Sequence, residues 1–259
     1  MVCTLLPYTW PFTNPVYLIV AKSCLDFETG EILLLAKPLY WTSFDLVNKI
    51  KMALRHHCGL KKLKVGHTGT LDPLATGLMI VCTGKATKRI DEFQNLNKEY
   101  TAIIKFGQTT PSFDLESQVD KEYPADHITA ELIREQLTQF LGEQLQEPPL
   151  FSAKFVDGKR AYELARKKID RKLEKVKIFF HELELLDYKE HTARIRIVCS
   201  KGTYIRAFAR DLGLALNSGA HLTGLIRNAI GDYRIEKALT VEEFKFIFEN
   251  LKQIENPNV

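Results

Sequence analysis

The sequence predicts an α+β fold with a mixed, largely antiparallel central sheet that is flanked by helices and loops. Segments with strand and helix periodicity follow one another without a regular βα repeat, which argues against a doubly wound parallel sheet. A composition of 45% hydrophobic and 26% charged residues in 259 is that of an ordinary globular protein. No Ser/Gly-rich or Pro-rich linker divides the chain. We therefore expect one domain over residues 25–259, preceded by a loosely packed extension at residues 1–24.

The first half of the chain contains three predicted strands and two predicted helices. We predict strands over 32–36, 78–82 and 99–106, and helices over 43–55 and 85–96. Thr42 or Ser43 is positioned to cap the first helix. In the third strand, apolar residues alternate from Tyr100 to Phe106, as expected of a strand with one buried face.

The second half continues the irregular mixture of strands and helices. We predict strands over 176–187 and 193–199, a strand and turn over 220–235, an extended piece at 151–156, and helices over 129–141, 160–167, from 202 and from 240. Thr129 caps the first of these helices, and Pro148 and Pro149 are expected to end it. The helix from residue 202 carries Arg206 and Arg210.

Between the first helix and the next buried strand, residues 66–77 read GHTGTLDPLATG, the composition of a tightly curved loop. Its three glycines permit positive φ and the close approach of a ligand or another segment. Pro73 restricts the residue before it to an extended conformation, so a stiff backbone holds the carboxylate of Asp72. Loops of this composition are most often only turns. The residues alone leave two interpretations open, a turn or a functional site that presents one acid.

Charge is distributed unevenly along the chain, although the formal net charge is only +4. Residues 46–71 contain six Lys or Arg and no acid, and residues 154–177 have a balance of +6. Residues 111–147 have a balance of −7 and are expected to face away from a polyanion. Basic segments of this kind bind phosphates by releasing counterions, but a solvated charged face has the same composition.

Several classes of protein are excluded by spacing. Five cysteines without a CxxC pair argue against a disulfide framework and a zinc site, and they suit a reducing cytoplasm. A P-loop, a GxGxxG fingerprint and a zinc-deaminase signature are absent, and no apolar stretch is long enough to span a membrane. What remains is an acid without a metal, and Asp72 needs a nearby cation to stay ionised if it is buried. Arg206 is the best candidate for that cation.

Four segments of the chain together resemble the TruB family of bacterial tRNA pseudouridine synthases. They are GHTGTLDPLATGLMIVCTGKATK at 66–88, KEYTAIIKFGQTTPSFDLESQ at 98–118, PPLFSAKFVDGKRAYELAR at 148–166 and CSKGTYIRAFARDLGLALNSGAHLTGLIR at 199–227. The resemblance runs in order from about Gly30 onwards. It implies the pseudouridine synthase fold, and isomerisation of the uridine at position 55 in the T loop of tRNA without a cofactor or metal. The target base would leave its stack to react.

The resemblance also implies roles for eight residues. Asp72 would be the catalytic carboxylate, acting either as a nucleophile on the sugar or base or as the base that removes a sugar proton. Tyr100 would stack on the uracil and assist proton removal at C5, and Arg206 would keep Asp72 ionised. Five further residues are implied in substrate binding. His67 would enter the T loop in place of the extruded base, and Tyr204 and Leu225 would line the uracil pocket. Lys37 and Lys88 would contact phosphate or support the site.

The sequence departs from the family pattern in three places. Phe155 occupies a position where relatives typically have lysine, with Lys154 one residue earlier. Relatives commonly carry a C-terminal PUA domain, which we do not expect here, and the family has no counterpart of residues 2–23. We expect a soluble, cytoplasmic monomer that binds the T stem-loop of tRNA. Two alternatives stay open, a non-catalytic tRNA-binding chaperone and a synthase for another uridine.

Overall fold

A computed structural model of the chain describes residues 26–150, 155–156, 159–160 and 173–247. The predicted extension at 1–24 lies outside these residues. So do Lys154, the predicted helix beyond Arg160 and most of the second basic segment. The part of the predicted last helix beyond residue 247 also lies outside.

Thirteen strands and five α-helices are found in the described part of the chain. The strands are β1 (Ile32–Lys37), β2 (Val65–His67), β3 (Ala75–Thr83), β4 (Lys98–Phe106), β5 (Gln108–Thr109), β6 (Lys121–Glu122), β7 (Gly142–Gln146), β8 (Phe155–Val156), β9 (Lys159–Arg160), β10 (Val176–Lys189), β11 (Thr192–Cys199), β12 (Ala220–Ile230) and β13 (Tyr233–Arg234). The helices are α1 (Ser43–Cys58), α2 (Ile90–Asn95), α3 (Ala130–Phe140), α4 (Ile205–Ala215) and α5 (241–247). Two short 3₁₀ helices, Gly84–Arg89 and Ile235–Lys237, precede α2 and follow β13.

A single mixed sheet organises the fold, in the order β1-β3-β12-β4-β11-β10-β7. Strands β2 and β13 pair with β3 and β12. Among the strand pairs in the described residues, only β3 with β12 is parallel. The predicted α+β class with a mixed, largely antiparallel sheet is therefore confirmed.

The hydrophobic core lies on both faces of β3. Met79 and Val81 pack into the larger cluster, which also receives the buried faces of α1, α3 and α4. Leu78, Ile80 and Cys82 face a smaller cluster with residues of α2 and β12. A strand that is buried on both faces needs a continuous apolar run, which explains the sequence LMIVC.

Local sequence signals place several elements correctly. Thr42 caps α1 through the backbone N–H of Asp45, and the Asp45 carboxylate accepts from the backbone N–H of Thr42 in return, which completes a capping box. Helix α1 then runs to Cys58, three residues beyond the predicted end, and Gly59 terminates it at a φ of 70°. Strand β4 alternates buried and partly exposed residues along its whole length, as predicted.

Three predictions of local structure are wrong. Residues 66–77 are not one loop, because Gly66 and His67 belong to β2 and β3 begins at Ala75. The helix from Thr129 ends at Phe140, one residue before its predicted end, but the two prolines do not end it, because the edge strand β7, paired with β10, lies between. Arg160, the first residue of the predicted helix 160–167, lies in β9, and the rest of that range is outside the described residues. In the described part of the chain, none of the helices is both long and apolar enough to cross a lipid bilayer.

Candidate active site

Asp72 lies in the segment 68–74, between β2 and β3. The backbone N–H of Ala75 donates to the carbonyl of Asp72 at 3.0 Å, so Pro73 is the second residue of a tight turn, where its fixed φ is favourable. The residue before Asp72 is anchored to α1. The buried hydroxyl of Ser43 accepts from the N–H of Leu71 at 2.8 Å and donates to the carbonyl of Leu71 at 3.0 Å. The backbone that carries the Asp72 carboxylate is therefore held from both sides.

Arg206 faces this carboxylate from the first turn of α4. Its Nε lies 2.8 Å from Oδ2 of Asp72, and its side chain is only 5% exposed, compared with 42% for Asp72. One guanidinium nitrogen also donates to the backbone carbonyl of Ser112 at 3.2 Å. The arginine is thus fixed inside the protein, while the carboxylate that it holds is partly shielded by the protein and partly accessible to solvent.

A second carboxylate, Asp114, lies on the other side of Arg206. Its Oδ2 is 3.7 Å from Nε of Arg206, and its side chain is buried. The hydroxyls of Thr110 and Ser112 both donate to the carbonyl of Asp114, and Phe113 adopts a positive φ of 62° immediately before it. A folded and locally strained turn therefore holds Asp114 in place.

These surroundings raise the pKa of the Asp72 carboxyl above its ordinary value. Desolvation by the surrounding protein is the largest cause, and the nearby charge of Asp114 acts in the same direction. Arg206 opposes the rise by its charge and its hydrogen bond, and Lys37 opposes it more weakly. The site thus combines a carboxylate that resists ionisation with cations that favour it, an arrangement common among catalytic groups.

A small pocket opens in front of the ion pair. The segment before β3 contributes Asp72 and Leu74 to its walls, and β3 contributes its first residue, Ala75. The other walls are Asp114, Arg206 and residues 222–225 of β12. The volume of about 10 Å³ accommodates roughly one water molecule. Leu225, one of the predicted pocket residues, lies in this wall. The pocket must widen before it can accept a planar base.

A row of residues crosses the sheet beside the pocket. In the strand registers, Lys37 is opposite Gly77, Gly77 is opposite Arg227, and Arg227 is opposite Tyr100. Directly paired residues project to the same face of a sheet, so two cations and the phenol share one face. Gly77 has a φ of 114°, and a Cβ there would lie 2.4 Å from the carbonyl oxygen of Arg227. The missing side chain lets β3 approach β12 closely.

Arg227 connects Tyr100 with the segment that carries Asp72. Its Nε donates to the carbonyl of Leu78 at 2.7 Å, and a terminal nitrogen donates to the carbonyl of Gly69 at 3.2 Å. Burial raises the pKa of the Tyr100 hydroxyl, and Arg227 opposes this rise by its charge and a hydrogen bond. Both side chains are buried. Tyr100 therefore has a fixed orientation and a cation beside its hydroxyl.

The two predicted lysines are in different environments. Nζ of Lys37 donates to the carbonyls of Pro38 and Trp41, and burial lowers the pKa of its ammonium group to about 8. Its charge also acts on Asp72. Of the two roles open for Lys37, these contacts favour support of the site over phosphate contact. Lys88 is exposed on the 3₁₀ helix that follows β3, and it is not among the residues that line the Asp72 pocket.

His67 and Tyr204 lie at the ends of elements that border the site. His67 ends β2 and is half-buried, and desolvation together with the charge of Arg227 lowers the pKa of its imidazole. A neutral ring stacks on a base without the cost of desolvating a charge. Tyr204 is the N-cap residue of α4, and its backbone N–H and carbonyl are both hydrogen-bonded to the side chain of Gln146.

Asp114 and Arg227 are absent from the predicted site. Each lies in a segment that carries the family resemblance, FDLESQ for Asp114 and HLTGLIR for Arg227, so the signal for both is present in the sequence. Their contacts depend on pairing with segments more than 90 residues away, which periodicity does not reveal. As for metals, no group of three or more His, Cys, Asp or Glu is close enough to hold an ion within the described residues.

A half-exposed carboxylate, an arginine buried behind it and a pocket that opens in front of both form a site for nucleophilic or acid–base chemistry. These features define an enzyme that uses a carboxylate, on a mixed-sheet α+β scaffold.

Comparison with known proteins gives the family. Residues 55–205 match the family described as TruB family pseudouridylate synthase (N terminal domain). The chain is 59% identical over 220 residues to tRNA pseudouridine synthase B of Phocaeicola vulgatus, covering 85% of this chain and 94% of that protein. It is 56% identical over 236 residues to the protein of the same name from Bacteroides thetaiotaomicron, covering 90% and 98%. The chain therefore belongs to the TruB family, and it is an enzyme that isomerises uridine to pseudouridine.

Solved structures agree on the fold. A chain in the crystal structure of a Cbf5–Nop10–Gar1 complex superposes with a TM-score of 0.66 and 26% identity, covering 90% of this chain and 57% of that one. A chain in the structure of an H/ACA RNP bound to a substrate RNA containing 2′-deoxyuridine gives 0.64 and 24% identity, covering 88% and 56%. The protein thus spans a little more than half the length of these solved chains.

Proposed function

We propose that the enzyme converts the uridine at position 55 in the T loop of tRNA into pseudouridine, with Asp72 as the catalytic carboxylate. The observation that carries the proposal is the half-exposed Asp72 carboxylate, which is paired at 2.8 Å with the buried Arg206 at the edge of a pocket. The tRNA substrate is supported by the curated relatives, which are named tRNA pseudouridine synthase B. Position 55 is supported by the resemblance of the four sequence motifs.

The reaction is an isomerisation without oxidation or reduction. The bond between C1′ of the ribose and N1 of uracil breaks, the base rotates, and a bond between C1′ and C5 forms. The C5 proton leaves and N1 gains a proton, so the product has the same atoms as the substrate. Asp72 either attacks the sugar or the base as a nucleophile or removes a sugar proton to start the cleavage. Both routes require the carboxylate to be ionised.

Arg206 is the group that favours the ionised form. Desolvation and Asp114 oppose ionisation of Asp72, and the guanidinium offsets them at hydrogen-bonding distance. Because Arg206 is itself held by the carbonyl of Ser112 and by Asp114, its position does not depend on substrate. The charge that stabilises Asp72 is therefore organised before the RNA binds.

Tyr100 is proposed to act on the base. Its ring lies on the face of β4 that is shared with Arg227, and its hydroxyl is influenced by the charges of both Arg227 and Asp72. In this role the ring supports the flipped uracil, and the hydroxyl assists removal of the C5 proton after rotation. Arg227 lies beside the oxygen that would carry negative charge during that step.

The other site residues are proposed to bind RNA or to support the loop. His67 would occupy the space of the extruded base, Tyr204 and Leu225 would border the uracil, Lys37 would brace the segment around Asp72, and Lys88 would meet the backbone of the RNA. Residues 25–259 would form the catalytic domain, with 1–24 as an extension. We further propose that the enzyme works as a monomer in the cytoplasm on the T stem-loop.

The role of Asp72 is tested by the Asp72→Asn variant. Release of tritium from tRNA labelled at C5 of uridine measures turnover, and we expect none from this variant. Binding to tRNA should stay within about tenfold of the wild type, because the amide keeps the size of the carboxylate. Asp187→Asn, an exposed acid in β10, is the matched control and should react normally. Turnover by Asp72→Asn at the wild-type rate would contradict the mechanism.

The position of the target is tested on a tRNA pool. Sites of pseudouridine are mapped before and after incubation with the wild-type enzyme, and we expect new modification at position 55 alone. Modification of a different uridine would retain the chemistry and overturn the assigned target. Tight tRNA binding without modification at any position would support a chaperone in place of an enzyme at this site.

A further inference from the structure

Two large aromatic side chains are exposed next to the segment that carries Asp72. Tyr40 is 74% exposed and Phe44 is 73% exposed, although both flank the most tightly held part of the site. The backbone N–H of Tyr40 donates to the carbonyl of Pro73, the residue after Asp72, at 2.8 Å. Ser43, next to Phe44, carries the hydroxyl that anchors Leu71. The backbone that carries the two rings is therefore held against the segment that carries the catalytic carboxylate.

Tyr40 has an unfavourable backbone conformation for its residue type. Its φ is 66°, in the left-handed region where glycine is the usual residue and a bulky side chain is rare. The buried contacts of the turn do not require the tyrosine ring, because the ring is mostly in solvent. A strained residue that gains little from packing points to a role for the exposed ring itself.

The charges next to the two rings indicate the kind of partner. Phe44 is the second residue of helix α1, and the exposed residues of later turns include Lys51 and Arg55. Its one acid in the first turn, Asp45, is occupied by the capping box. Lys51 also lines an open cleft with Lys62, Lys64 and Gly66, the residue before His67. The two aromatic rings lie beside the Asp72 segment, and the basic cleft lies further along α1. This arrangement suits an RNA strand, because its bases can stack on the rings while its phosphates contact the lysines.

We propose that Tyr40 and Phe44 form a stacking surface for unpaired nucleotides next to the target uridine. This inference rests on the proposed function, since it assigns part of the RNA to a surface beside the same site. The occupant is a single-stranded loop segment whose bases lie on the two rings. Its backbone continues toward Lys51 and Lys62.

The sharpest test is Tyr40→Gly, because it removes the ring and suits the backbone. Relief of strain offsets the larger conformational entropy of glycine in the unfolded state, so the unfolding temperature should stay the same or rise. The Kd for a T stem-loop RNA should rise about tenfold, the loss expected for one base–aromatic stack. Tyr40→Phe should keep the Kd within about threefold, because the stacking face remains.

Glu190→Gly is the matched control. Glu190 also has a positive φ, 51°, and lies in the turn between β10 and β11, so this variant relieves the same kind of strain away from the rings. It should leave the Kd unchanged. An unchanged Kd for Tyr40→Gly, or a fall in its unfolding temperature that accounts for lost binding, would overturn the proposal. If Tyr40→Gly binds the RNA normally but no longer forms a dimer or a complex with another protein, the rings would be assigned to a protein partner.

A second measurement separates stacking from electrostatics and from the proposed function. Loss of a stack should leave the slope of log Kd against log salt unchanged, because no phosphate contact is lost. The RNA is then labelled with 2-aminopurine next to the target uridine, and wild-type enzyme should quench its fluorescence while Tyr40→Gly and Phe44→Ala do not. If wild-type enzyme leaves this RNA unmodified, the proposed function fails. If it modifies the RNA and all variants quench equally, only the stacking surface fails.

Discussion

Two carboxylates and one arginine set the ionisation of the site at the scale of single residues. Nε of Arg206 lies 2.8 Å from Oδ2 of Asp72 and 3.7 Å from Oδ2 of Asp114, so one guanidinium is close to two carboxylates. Asp114 has two opposite effects on Asp72. Its charge makes ionisation of Asp72 less favourable, while its contact with Arg206 helps to hold the cation that makes ionisation more favourable. Substitution of Asp114 can separate these two effects.

We predict that Asp114→Asn moves the acidic limb of the pH–rate profile to lower pH. The pKa of Asp72 is raised in the folded protein, so activity is lost as the pH falls through this raised value and Asp72 becomes protonated. Removal of the Asp114 charge takes away one cause of the rise and lowers the pKa. The measurement is kcat/KM for tritium release against pH. A limb at the same pH with a lower kcat would mean that Asp114 acts only by holding Arg206.

How far the sequence predicts the site also depends on single residues. Asp72 is predictable because proline and glycine around one acid restrict the backbone locally, and Arg206 because a buried acid needs a cation. Asp114 and Arg227 are different, since their importance comes from contacts between β12, α4 and distant loops. In the sequence they are an ordinary loop acid and a strand arginine. Apart from the family resemblance of their segments, local composition and periodicity give no reason to select them.

At the scale of elements, the junction of β3 and β12 decides where the site lies. This pairing is parallel and joins Ala75–Gly77 with Leu225–Arg227, which places the pocket wall beside the Asp72 turn. The capping box of α1 and the alternation of β4 are local patterns, and both are predictable. The start of β3 and the short strand β2 depend on partners elsewhere in the sheet, so the local sequence wrongly predicts one loop over residues 66–77. The edge strand β7 lacks a distinct apolar pattern, so the local sequence does not predict it.

We predict that Gly77→Ala destabilises the protein far more than Gly59→Ala. Both glycines have positive φ, 114° and 70°. A Cβ at position 59 meets nothing within 4 Å, whereas one at position 77 would lie 2.4 Å from the backbone of Arg227. Gly59→Ala should cost about 1 kcal/mol of unfolding free energy, the strain of the left-handed region. Gly77→Ala should cost at least about 3 kcal/mol, because it also forces β3 away from β12.

Urea denaturation of the two variants and the wild type measures this difference. The variant Gly77→Ala should also lose turnover, since Arg227 and the Asp72 segment would separate. Equal losses of unfolding free energy for the two glycines would contradict the close packing of the two strands. If Gly77→Ala has the unfolding free energy of the wild type but no turnover, Gly77 would matter for the site and not for the stability of the fold.

At the scale of the whole molecule, charge is separated between regions of the chain. Residues 46–71 carry six basic residues and no acid, and three of these, Lys51, Lys62 and Lys64, line one open cleft. Residues 111–147 have a balance of −7. With a net charge of only +4, binding to a polyanion depends on this separation and not on the total. The cleft should therefore supply most of the salt dependence of RNA binding.

We predict that the double variant Lys51→Gln, Lys62→Gln lowers the slope of log Kd against log salt by about 1.4, which corresponds to two lost phosphate contacts on a single strand. Lys121→Gln, Lys189→Gln is the control, because both lysines are exposed and Lys121 lies in the acidic region while Lys189 pairs with Glu190 at 3.5 Å. Both variants lose two charges, so any general effect of net charge is the same in each. The Kd for T stem-loop RNA is measured between low and moderate salt. Equal slopes for the two variants would mean that RNA responds to total charge and does not occupy the cleft.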